Sequence, residues 1–580
     1  MIYSHRSLLA LALLLTLFSG YAQAQQDKNT PSKEEIAALR EKAFKLLESV
    51  ASQLNTLQSA ENRARMASNL VDSLWQHDET RARALIRLVQ EDINGELRKE
   101  RPRPFEDTTL RVFLKLRSDT AERIAKYDAE AALEFLKTTE PDPEKVPPDV
   151  VYSDQTMELQ LAKKVAADKP EVALKLARQA LDKRISTEVL MLLAKLNRKH
   201  KAQAQILYKE IVEKIRATDP RDDWGAREGA QTLVQGFKPP DADEATYREL
   251  VGFIVTKALE HGCSKKISDE DEAAEFCQWV TSTLRGDAAK IDSRASRLKQ
   301  WPIYEEGDYS YAFAMDEIND LVEEGAMDQL EAIAWKRPEL QDLIASRAIE
   351  QAMQSGKYEE AGKYVDRFVT DAETKKEMRE HLVNQQKFVE GYFANLEEAK
   401  KEIEANPDTR LRVVQLMMMS GVAASKDRDA GLKLLDQANG VVDAMDPGKE
   451  QAQFRISLAS MYCMQKSDRG FAMMEALVPK LNELVELAVK MDGYDTSYLR
   501  DGEWNMSANG SIGAILTQLS QDAGYFAWSD FDRAVSLASQ FERPEIRLMA
   551  HLKLAQGALA PPNSKTGYNL TYTTQSFVLR

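Results

Sequence analysis

MELQLAKKVAADKPEVALKLARQALDKRISTEVLMLLAKLNRKHKAQAQILYKEIVEKIR, residues 157–216, is the stretch whose reading decides the fold. Met157, Leu161, Val165 and Ala166 share one helical face. After the break Asp168-Lys169-Pro170-Glu171, Val172, Leu176, Ala177, Ala180 and Leu181 share another. That break has the marks of a helix start, with Asp168 placed to cap, Glu171 three residues on, and Pro170 in a first turn that needs no N–H from it. Ser186 stands as a cap ahead of Val189, Leu190, Leu193 and Leu196. Lys199-His200-Lys201 precedes the stripe Ala204, Leu207, Tyr208, Ile211, Val212 and Ile215. Helices this short are unstable alone in water. Stacked antiparallel pairs would bury all four stripes at once, so an all-α architecture is expected.

A polar turn followed by Ala and then a bulky residue recurs along the chain. His77-Asp78 leads to Ala82 and Leu85, Tyr127-Asp128 to Ala132 and Phe135, and Lys426-Asp427 to Ala430 and Leu434. Ser467-Asp468 leads to Phe471 and Met474, and Asp530-Phe531-Asp532 to Ala534 and Leu537. Gly356-Lys357-Tyr358-Glu359-Glu360-Ala361-Gly362-Lys363-Tyr364, within 346–369, resembles the turn and second helix of a tetratricopeptide repeat, in which a small residue lets paired helices approach and aromatics fill the gap. The resemblance implies a right-handed stack of antiparallel helix pairs, an α-solenoid of the tetratricopeptide or HEAT kind. The anchors do not keep that family's period of about 34 residues.

Read in order, the chain divides at its prolines and glycines. Residues 1–24 form a signal peptide, with His5 and Arg6 ahead of an apolar run and Ala22-Gln23-Ala24 as the cleavage site. A polar leader (25–31) precedes Ser32 and Glu35, a capping box that opens the helix pairs of 32–140. Pro141, Pro143, Pro147 and Pro148 mark the first boundary. Helix pairs are expected over 150–236, over 243–300 around a cysteine loop, over 301–405, over 407–491 and over 512–560. Residues 492–511 form an irregular loop and 561–580 an extended tail.

The formal net charge is −15, and loss of Arg6 with the signal peptide makes it −16. Such a surface repels nucleic acid and anionic lipid on average. No run after the leader approaches the roughly 20 apolar residues that span a bilayer, so an exported chain, periplasmic or extracellular, is expected. Cys263 and Cys277 flank the acidic loop 264–276, and a bridge there would stabilise by about 3 kcal/mol in the chain-entropy model. Two unlinked thiols are the alternative reading. Cys463 lies in an apolar run and reads as a core residue. Met417, Met418, Met419, Met461, Met464, Met473 and Met474 fall on apolar helix faces.

No phosphate loop, nucleophile elbow, zinc-protease motif or dinucleotide fingerprint is present. No cofactor or metal is expected, since His261, Cys263 and Cys277 lack a fourth ligand and Asp269-Glu270-Asp271-Glu272 lacks the spacing of a calcium loop. Glu503-Trp504-Asn505, with Ser511, Gly513, Ala514 and Gln518, resembles the catalytic segment of lytic transglycosylases, which would make Glu503 a general acid. Ser511 stands two residues before Gly513 where that family has three, and the chain after it is too short for the family's lysozyme-like domain. The leading expectation is a non-enzymatic protein that binds a protein or peptide. Trp301, Tyr304, Tyr309, Tyr311, Tyr494, Tyr498 and Trp504 are its candidate anchors. Rings that plug spaces between neighbouring helices are the alternative. A glycan-acting enzyme and an envelope assembly protein are the other two functional readings.

Overall fold

The computed structural model describes residues 32–560 except 100–107, 143–156, 266–271, 285–287, 300–314, 355–357, 383–399 and several shorter breaks. The signal peptide, the leader, the tail, Asp168, Gly356 and Lys357 lie outside the described residues. So do Trp301, Tyr304, Tyr309 and Tyr311. Contacts divide the chain into two compact units, one of residues 100–347 and one built from both ends, 1–99 with 348–580.

The first helices are α1 (Lys33–Gln53), α2 (Ala60–Leu74) and α3 (Glu79–Leu97). The middle of the chain supplies α4 (Thr108–Ala125), α5 (Ala129–Thr138), α6 (Pro170–Lys183), α7 (Thr187–Lys199) and α8 (Lys201–Arg216). It continues with α9 (Trp224–Gly236), α10 (Glu244–Glu260), α11 (Glu272–Thr283), α12 (Met327–Lys336) and α13 (Gln341–Gln354). Then come α14 (Tyr358–Phe368), α15 (Thr409–Lys426), α16 (Arg428–Asp443), α17 (Lys449–Gln465) and α18 (Ser467–Lys490). The series ends with α19 (Gly510–Ser529), α20 (Phe531–Ala538) and α21 (Pro544–Leu559).

The recurring Asp turns are helix caps. The carboxylates of Asp78, Asp128, Asp427 and Asp530 each accept an N–H from the first turn that follows, in the role that favours Asp at this position. Ser32 and Glu35 form a complete capping box, with bonds of 3.1 and 2.7 Å. Other helix starts lack a side-chain cap: at α6 the capping position falls to Lys169 and not to the expected Asp168, with no side-chain bond. Ser186 occupies the capping position of α7, yet its buried hydroxyl makes no bond there. Ahead of α18 the capping position falls to Lys466, whose side chain bonds no amide.

In the 100–347 unit each helix from α6 to α11 packs on the next and also on the next but one, so α6, α8 and α10 make one layer and α7, α9 and α11 the other. That pattern defines stacked helix pairs, and the fold is a divergent helical repeat. One continuous apolar core runs through it, from Ala129 to Ala295. Ion pairs between successive layer members, Arg178 with Glu210 and Arg216 with Glu249, join residues 32 and 33 apart. In the other layer the bonded pairs lie 41 and 48 apart, at Thr187 with Glu228 and Arg227 with Glu275, as the connecting loops lengthen along the stack. Cys263 and Cys277 are bridged, tying the end of α10 to α11. Buried Arg117 holds the end of α5 by donating to the Leu136 carbonyl (2.7 Å) and the Thr139 hydroxyl (3.0 Å).

In the unit made of both ends, α17 packs on α19 and α19 on α21. Among the described residues α21 is the last helix in sequence, and α1 packs on it, with α2 behind. A stack whose members touch only their sequence neighbours, as first expected, would keep α1 and α21 apart. Lys42 on α1 and Asp532 on α20 pair at 2.5 Å. Met417, Met418, Met419 and Met461 fill the core beside α16, whereas Met464 points outward. At the crossing of α19 and α21 a Cβ on Gly557 would lie 2.5 Å from Gly524 Cα, so only glycine permits this approach.

Asp530→Ala removes one cap and is expected to lower stability in urea unfolding by about 1 kcal/mol. Gly557→Val forces α19 and α21 apart and is expected to cost about 2 kcal/mol or more.

Candidate functional site

The segment 492–507, expected to be irregular, folds into a tight turn and a two-stranded antiparallel hairpin, β1 (Leu499–Arg500) and β2 (Glu503–Trp504). Asp501 and Gly502 make the connection, both at positive φ (53° and 81°). Asp-Gly is the pair that a two-residue hairpin turn favours, because both central positions need left-handed backbone. Asp492 supports the near strand, its carboxylate accepting the Tyr498 and Leu499 N–H groups at 2.5 and 2.9 Å.

The side chains of this segment split between inside and outside. Tyr498 and Trp504 are buried and stack with ring centroids 5.4 Å apart. They plug the fold, as the alternative reading of these aromatics has it, and offer no exposed ring to a partner. Tyr494 faces solvent, 86% exposed, and follows Leu487 on the last turn of α18 and Met491 just past its end, each 54% exposed. The Tyr494 N–H donates to the Met491 carbonyl, which fixes the turn onto the helix end. Runs of adjacent exposed apolar side chains are uncommon on a protein surface and mark contact sites.

Glu503 is committed to the helix behind it. Its carboxylate accepts the backbone N–H groups of Gln58 (2.6 Å) and Ser59 (3.0 Å) and the Asn62 side-chain amide (3.3 Å), at the start of α2. The Ser59 hydroxyl caps nothing, so Glu503 supplies from afar the negative charge that the α2 N-terminus favours. Asn62 also donates to the Trp504 carbonyl (2.8 Å) and accepts from the Met506 N–H (3.1 Å), pairing with the chain as another strand would. Glu61, fully buried, receives Arg65 (2.8 Å), Arg500 and the Ser507 hydroxyl (2.7 Å). Glu545, near the start of α21, accepts the Trp504 N–H at 2.6 Å. A general acid must be protonated and aimed at a leaving group in an apolar pocket. Both carboxylate oxygens of Glu503 point at amide donors of α2 and the chain before it, and Ser511 stands exposed on the first turn of α19.

Two other chemically capable groups are buried. Cys463, free and inside the core, has its thiol pushed up to about 12 by burial, so it is inert as a nucleophile. Asp522 on α19 is wholly enclosed. Burial pushes its carboxyl up to about 6 against the hydrogen bonds of Gln518, Ser460 and Ser457. Its bonds from the Ser460 hydroxyl (2.9 Å) and the Gln518 amide (3.1 Å) join α17 to α19. Among the described residues no group of His, Cys, Asp or Glu is placed to hold a metal ion, and no helix is long and apolar enough to cross a membrane.

No family model and no curated protein matches the sequence. Among solved structures the chain is similar to a "Circular tandem repeat protein with novel repeat topology and enhanced subunit contact surfaces", at 14% identity over 87% of this chain and 99% of that one, with a TM-score of 0.14. So low a score carries no weight, and the helical-repeat assignment rests on the layered contacts above.

Asp522 holds its proton to higher pH when folded than when unfolded, so the native state binds more protons between pH 3.8 and about 6 and stability falls as pH rises through that window. Asp522→Asn is expected to raise unfolding free energy near pH 7 by on the order of 1–2 kcal/mol, with the difference gone below pH 4, in urea titrations across pH.

Proposed function

We propose that the protein is an exported, non-enzymatic helical-repeat scaffold, a right-handed stack of antiparallel helix pairs that binds a protein or peptide partner. The observation that carries the reading is the outward-facing trio Leu487, Met491 and Tyr494, set on the end of a long helix and braced by the hairpin beside it. A rigid helix end with exposed apolar groups suits the capture of a partner's apolar side chain. The layered stack supports it further, since such scaffolds present extended surfaces built from repeated units. Export is supported by the leader sequence of residues 1–24 and by the Cys263–Cys277 bridge, which persists in an oxidising compartment. The commitment of Glu503 to backbone amides favours a binding role over cleavage of cell-wall glycan.

Affinity capture from an exported fraction, comparing wild type with Leu487→Ser/Tyr494→Ala, is expected to lose the specific partner by tenfold or more without a change in thermal unfolding. Equal capture by both proteins would overturn the assignment of the surface. The mature chain is expected to begin at Gln25 on N-terminal sequencing and to leave peptidoglycan turbidity unchanged.

A further inference from the structure

Helix stacking alone does not require the 498–507 hairpin. Bonded pairs between α17 and α19 lie 61 and 62 residues apart, against 40 and 45 between α15 and α17, and the hairpin with its turn is part of the excess. The inserted chain makes its strongest contacts with residues more than 400 positions away, at Gln58, Ser59, Glu61 and Asn62. We propose that this hairpin is a latch that closes the amino-terminal helices onto the end of the C-terminal stack, and that its release frees α1 to α3 while the remaining helices keep their packing.

The chemistry of the contact favours a latch over a shared core. On the α2 side the joint is mainly polar, a carboxylate on two amides, an amide paired with backbone, and Glu61 between two guanidinium groups. Groups of this kind exchange protein partners for water at modest net cost. On α1 the buried apolar residues are Ala43, Leu47, Val50 and Ala51. Glu545 holds the other side of the hairpin to α21 through the Trp504 N–H, so one two-residue strand carries Glu503 toward α2 and Trp504 toward α21. Opening removes the acceptor at the α2 N-terminus and uncovers the face of α21 that α1 occupies. Nothing in α15 to α17 depends on either group.

Hydrogen exchange of the full chain tests this. In Glu503→Gln the side chain keeps its size and loses the second acceptor, and the amides of α2 and α3 are expected to exchange tenfold faster or more, while those of α15 and α16 keep the wild-type rate. Arg500→Met, which removes the Glu61 partner without touching Glu503, is expected to accelerate the same helices. Wild-type exchange of α2 in both variants, or equal acceleration throughout residues 348–560, would overturn the latch.

Discussion

In the unit made of both chain ends, the closure of the two ends depends on covering the outer face of the last described helix, α21. A short amphipathic helix hides its apolar stripe only against a neighbour, and within a stack each helix supplies that cover for the one before it. Solenoids ordinarily finish with a polar cap beyond the last helix of the stack. Here the cover for α21 comes from the opposite terminus, with α1 packed on α21 and α2 behind it. The ends of the chain therefore fold together, so residues 33–97 and 348–560 form one compact unit although a second unit lies between them in sequence.

Such a joint needs register as well as burial, and the hairpin provides it. Apolar stripes slide past one another at little cost, whereas a carboxylate on two amides and an Asn paired with backbone hold one position. Burying Glu61 and Glu545 is tolerable because each faces donors, guanidinium groups for Glu61 and a strand amide with Arg543 for Glu545, while half-buried Glu503 faces helix-start amides. Asp522 is the contrast. With only hydroxyl and amide donors around it, burial dominates and its carboxyl rises to about 6.

Much of this was legible in the sequence. The all-α class, the stripes of 157–216, the capping box at Ser32 and the Asp caps at residues 78, 128, 427 and 530 follow from side-chain spacing, because helix periodicity and capping are local. The repeat length was not legible, since the connecting loops lengthen along the chain, spreading bonded pairs from 32 to 62 residues apart. The hairpin carried a readable signal in Asp501-Gly502 between Arg500 and Glu503. It was masked by the surrounding Gly, Asn and Ser, and by strands only two residues long. That Trp504 and Tyr498 face inward while Tyr494 faces outward could not be read locally, because the groups that cover them come from helices at the other end of the chain.

The proposed binding surface lies where the closure leaves apolar groups exposed. The turn that carries Tyr494 is anchored to α18 on one side and to the hairpin on the other, so the apolar surface is held on a braced element. The most direct measurement of the central claim, that the chain's two ends pack together, is a cross-link between α1 and α20 in full-length protein carrying Lys42→Cys and Asp532→Cys, positions whose native side chains meet at 2.5 Å. A rapid cross-link within single molecules, independent of protein concentration, is the expected result; its absence, or its appearance only between molecules, would contradict the closure of α1 on the C-terminal stack.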